Sequence, residues 1–197
     1  MLEFLQRVAV VLSLVGGAAF VLSLESTGLF ARLRRRFVLG VPWGTVVTVL
    51  GVLSVYLFVQ GGVSHWNRPV VIPFRAWSYL APLGMLTAGF AHAGPGHLLG
   101  NLFGTVALAP IVEYAFVHFP RERGSSSFGS FRTNPYVRAL LVFPVAVAIV
   151  GVALTLFTLG PVIGFYGVVF AFAGFALVRY PLGTVLALVG SDVLGLT

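Results

Sequence analysis

The polar residues of the stretch Ala91-His92-Ala93-Gly94-Pro95-Gly96-His97-Leu98-Leu99-Gly100-Asn101 stand at the head of an apolar run from Leu102 to Val112. Moving one such group out of water without a partner costs roughly 2–7 kcal/mol. Two imidazoles and a carboxamide at that place therefore mark a functional site. His97 and Asn101 are four apart, so a helix puts them on one face, one turn from each other. His92 and His97 are both metal-ligand types. A spacing of five does not align them on one helix face, no Asp or Glu lies nearby, and the HExxH pattern is absent. No metal and no other cofactor is expected.

A second stretch, Gly164-Phe165-Tyr166-Gly167, opens an apolar run after Gly160-Pro161. Gly164, Gly167 and, further on, Gly174 are small residues of the kind that let helices approach closely in lipid. Taken alone they read as packing features.

The elements that must position these groups are set by composition. The chain has 197 residues, 58% hydrophobic and 9% charged, with mean hydropathy +1.02. A soluble domain would be about a quarter charged, so this is the composition of an all-α, polytopic membrane protein. The net charge is +7 and every basic residue is Arg. Arginines flanking apolar spans account for that excess, and no nucleic-acid partner is expected. There is no Cys, which excludes disulfides, thiolate catalysis and Cys-based metal sites.

Spanning helices need about 20 mostly apolar residues. Six candidates follow in order: 4–24, 37–59, 92–116, 136–159, 162–177 and a shorter one over 182–196 that contains Asp192. Arg32-Leu33-Arg34-Arg35-Arg36 is expected to be a short basic loop. Residues 61–90 mix Trp66, Arg68, Arg75, Trp77 and Tyr79 with Pro69, Pro73 and Pro82, which predicts a structured loop in the headgroup region. Six spans place nine arginines on one side and three (Arg7, Arg68, Arg75) on the other. The first side is then cytoplasmic. His92, His97 and the 164–167 stretch all start from the external side at similar depth, so they can meet. The expected location is a multi-pass protein of the plasma membrane of a prokaryote.

His97-x-x-x-Asn101 at the head of one span, and Gly164-x-x-Gly167 opening a span two further on, resemble the rhomboid intramembrane serine proteases. The resemblance runs from about Phe37 to the C-terminus and includes His92, the long loop and the run Gly167 to Gly174. Trp66 with Arg68 is similar to the Trp-Arg feature of the family's first loop, with Trp77 and Arg75 as the competing match. The resemblance implies a rhomboid-like bundle of core helices 1–5 over 37–197, with 1–36 as an extra N-terminal helix and basic loop. It implies a Ser–His dyad below the membrane surface, an oxyanion hole at His97 and Asn101, and His92 in support. Such donors are worth about 3–4 kcal/mol each to a developing oxyanion. Substrates or clients would be transmembrane proteins held in the lipid bilayer.

Two departures follow from the same alignment of motifs. Tyr166 stands where the family has its nucleophilic Ser. A phenol of pKa about 10 is a poor nucleophile, and its ring fills the place of a scissile carbonyl. The chain also stops at Thr197 in what resembles the fifth core helix, so the sixth, with the catalytic base, is expected to be absent. Loss of the nucleophile costs on the order of a millionfold in turnover. The expectation is a family member inactive as written. A pseudoprotease that binds transmembrane helices and a truncated remnant are the alternatives, with a small transporter or channel subunit as a remoter one.

Overall fold

Pro82, Pro95 and Pro181 each occupy the first position of a helix, and Pro135 does the same for the longest one. Proline tolerates that place because its missing N–H would have had no intrahelical partner, and its φ is already helical. These prolines fix where the apolar runs become helices. A computed structural model describes residues 28–121, 124–158 and 161–193.

The described residues form helices α1 (Leu29–Arg36), α2 (Trp43–Val59), α3 (Pro82–Thr87), α4 (Pro95–Phe116), α5 (Ser125–Phe128), α6 (Pro135–Phe157), α7 (Tyr166–Arg179) and α8 (Pro181–Val193). No strand occurs among them; one isolated antiparallel bridge joins Ala76 to Val162. The class is therefore all-helical. Two helices, α4 with 22 residues and α6 with 23, are long and apolar enough to cross a membrane. The helices α2 and α7 are apolar but shorter. The expected span over 4–24 lies outside the described residues, as do Gly160 of the expected turn and the end of the last expected span.

Helix α4 is the axis of the assembly. It packs against α2, α7 and α8, while α6 packs against α2, α3 and α7. Tyr56, Leu98, Leu108, Phe143, Phe165, Val168 and Phe172 form the shared core. Gly104 leaves room for α7 beside α4: a Cβ there would run into the side chain of Val169. Gly174 faces open space, so it is not the packing contact that its stripe suggested.

Four expectations need correction. The basic segment 32–36 is not a loop but the body of α1. Leu29, Leu33 and Phe37 recur at helical spacing, and Arg34, Arg35 and Arg36 sit in the last turn, where cations complement the helix dipole. The second run becomes helical at Trp43 rather than 37, because Leu39 (φ 57°) and Gly40 (φ 77°) turn the chain and Pro42 precedes the helix. The third begins at Pro95 rather than 92, with Gly94 fully extended at φ 175°. The fifth begins at Tyr166 rather than 162, since Val162 is paired with Ala76 and Gly164 has φ 120°.

Both α2 and α6 contain a π turn, at Val55–Val59 and Arg138–Val142. In α6 the turn lies just before Pro144, whose missing N–H cannot complete a regular ladder. Arg138, in the same turn, reaches back to the end of α4 and donates to the carbonyls of Phe116 and Val117. That cap holds Val117 in the left-handed region at φ 57°.

Candidate functional site

The two polar motifs meet. His97 lies in the first turn of α4 and Tyr166 is the first residue of α7. Their rings are 6.3 Å apart between centroids and tilted by 30°. His92 stands edge-on to His97 at 5.2 Å. A spacing of five does not align His92 and His97 on one helix face. They come together because His92 is not on the helix but in the extended approach to Pro95.

His92 is fully buried, and neither of its ring nitrogens has a hydrogen-bond partner among the described residues. Its backbone is held instead by Gln60, also fully buried. The His92 N–H donates to Gln60 Oε1 at 2.8 Å, and Gln60 Nε2 donates to the His92 carbonyl at 2.9 Å and to the Val70 carbonyl at 2.8 Å. Gln60 follows directly on the π turn of α2. Sequence reasoning missed it; the available signal was a single carboxamide closing an apolar run.

Gly164 is the residue that lets the 164–167 stretch reach His97. Its φ of 120° is open to glycine and not to ordinary side chains. A Cβ there would overlap His97 Cε1 and Nε2. Its N–H donates to the Ala88 carbonyl at 2.8 Å, and Val162 exchanges two backbone hydrogen bonds with Ala76, at 2.9 and 3.1 Å. The run-up to Tyr166 is thus anchored on the long 61–90 segment. Gly167 meets Leu154 of α6 at ordinary contact distance.

Asn101 is buried, and its Nδ2 donates to the carbonyl of His97 one turn back, at 3.0 Å. One of its two N–H bonds is thereby engaged within α4. The cavity beside Tyr166, bounded by Gly89, Gly151, Thr155 and Gly167, is about 20 Å³. That is room for about one water molecule and none for a peptide. Tyr166 itself is 38% exposed. His118 lies against Glu113 towards the other end of α4, and His65 is exposed in the segment that follows α2.

Arg75 stacks on Trp77, with its guanidinium carbon 4.7 Å from the ring centroid, while Trp66 packs edge-on to Tyr56 at 5.2 Å. The Tyr56 hydroxyl donates to the Trp66 carbonyl. Of the two Trp-Arg pairs in the loop, the stacked one is Trp77 with Arg75.

A second polar cluster lies at the opposite end of α4. Glu113 is fully buried. It accepts from the N–H groups of Gly44 and Thr45 and from Thr45 Oγ1, each at 2.7 Å, and meets His118 Nε2 at 2.6 Å. The Val38 N–H donates to His118 Nδ1 at 3.0 Å, so Nε2 carries the proton and donates to the carboxylate. Glu113 therefore caps the start of α2, where the helix dipole favours a negative charge. No group of three or more His, Cys, Asp or Glu side chains suited to a metal comes together among the described residues.

No known family pattern, no characterised protein and no solved structure matches this chain.

Proposed function

We propose that the chain is a rhomboid-like member of the intramembrane serine proteases whose site is closed by Tyr166, and that it does not hydrolyse peptide bonds as written. The observation that carries this reading is the approach of the Tyr166 ring to His97, which joins the two motifs that suggested the family. Hydrolysis needs an attacking oxygen, a base and space for a scissile carbonyl. The residue at the nucleophile's position is a phenol, and the cavity on its α6 side, bounded by Gly151, Leu154 and Thr155 rather than by His97 and Asn101, is about 20 Å³. The chain lies in the bilayer as a multi-pass bundle, with the expected 4–24 segment added to the helices described above. Its many exposed Leu, Val, Ile and Phe side chains on α6 and α7 suit a lipid surround. The proposed membrane is the plasma membrane of a prokaryote.

A non-catalytic role in holding transmembrane helices is favoured over a decayed remnant by the intact support around the blocked site. Gln60 still clamps His92, and Gly164 still admits His97. The test uses the full chain in liposomes, a helical membrane substrate and a fluorophosphonate probe. The expected result is neither cleavage nor labelling, with the substrate helix retained on the protein. Cleavage or labelling would overturn the inactive reading, and failure to retain any membrane helix would overturn the binding role.

A further inference from the structure

The arginine-rich end of the molecule carries two adjoining cavities that nothing above uses. One is an apolar groove of about 590 Å³ between α1, α4 and the start of α8, lined by Leu33, Phe37, Ile111, Tyr114 and Leu182. The other is a basin of about 940 Å³ at the end of α4, lined by Arg35, Arg36, Phe119 and Arg121. They meet at one residue pair: Arg36, which lines the basin, lies 5.0 Å over the ring of Tyr114, which lines the groove.

We infer that this double cavity is a binding site for an anionic phospholipid, its phosphodiester in the arginine basin and an acyl chain in the groove. The argument is charge and continuity. Glu113, in the last turn of α4, is turned away from the basin arginines into its contacts with His118 and the start of α2. The carbonyls of Phe116 and Val117 would repel an anion at the end of α4, but both accept from Arg138. Arg138 so screens the basin floor without occupying it. An inorganic anion satisfies only the basin and a neutral lipid only the groove; a molecule with both parts satisfies the pair. The basin also lies on the side to which the arginine distribution assigns the cytoplasmic leaflet, where anionic lipids gather.

The inference rests on the membrane reading, and the experiment separates the two. The full chain is reconstituted in vesicles of phosphatidylcholine alone and of phosphatidylcholine mixed with phosphatidylglycerol. Flotation is recorded, and lipids retained after detergent extraction are weighed by native mass spectrometry. Floating in both vesicle types with selective retention of phosphatidylglycerol is the expected result. Floating without selectivity overturns the lipid site alone; failure to float overturns the membrane reading and the site with it. Selectivity should fall about fivefold in Arg121→Gln and roughly a hundredfold when Arg35→Gln and Arg36→Gln are added, and stay unchanged in Arg132→Gln. An equal loss in Arg132→Gln overturns the site. Glycerol phosphate competing as well as phosphatidylglycerol would mean a free-anion site and overturn the acyl part. A photo-crosslinker at Ile111 should capture lipid; capture of residues 4–24 or of a second copy would overturn the proposed occupant.

Discussion

Tyr166 and His97 lie ring against ring, 6.3 Å apart, with Gly164 pressed beside the imidazole so closely that no side chain fits between. The phenol at the head of α7 is a direct aromatic neighbour of the imidazole. Replacing Tyr166 with Ser should cost about 1 kcal/mol, the worth of an aromatic pair at a partly exposed site. It should also uncover His97. Faster modification of His97 by diethyl pyrocarbonate in Tyr166→Ser than in the parent is the expected reading; an unchanged rate would mean that the two rings are not in contact.

Gly164→Ala combines an unfavourable φ of 120° with a collision against the His97 ring. The backbone cost alone is roughly 1–3 kcal/mol. Thermal unfolding in detergent should show a clear loss of stability. Gly174→Ala, in a helix interior with open space around it, is the control, and should be neutral or slightly stabilising, by up to about 1 kcal/mol.

Glu113→Gln should destabilise by about 3 kcal/mol. A carboxamide turns an N–H toward groups that are themselves donors, and hydrogen bonds to a charged acceptor are worth about 1.5–3 kcal/mol each. The effect should hardly change with salt, because the cluster is fully buried. A strong salt dependence of the difference in melting temperature would contradict this account.

Gln60→Leu leaves the His92 N–H and carbonyl without their partner, at about 2 kcal/mol. Gln60→Glu keeps the acceptor for that N–H but sets a carboxylate against the carbonyls of His92 and Val70. It should be the worse of the two in the same unfolding assay. Equal melting temperatures for both variants and the parent would show that the clamp is not holding His92.

Much of this was legible in the chain and some was not. The runs that became α4 and α6 are uniform enough to read directly; their first residues moved, each to a proline, and α6 ends at Phe157 rather than 159. The basic segment before Phe37 misled because its charge outweighed the i, i+4 spacing of Leu29, Leu33 and Phe37. Residues 162–165 misled for a different reason. An apolar run looks the same whether it is helical or extended, and what makes this one extended is a pairing with Ala76 far upstream. The meeting of His97 with Tyr166 could be inferred from equal depth. The Gln60 clamp could not, since a side chain bonding a distant backbone leaves no periodic trace.

The pairing of Ala76 with Val162, and the bond from Gly164 to Ala88, mean that the motif before α7 has no independent footing. Whatever tugs on the Trp77 and Tyr79 end of the long segment also tugs on Gly164. In hydrogen–deuterium exchange the amides of Ala76, Val162 and Gly164 should open together, as one cooperative unit. Strain applied at that end would then reach the residues leading into α7 through these main-chain bonds.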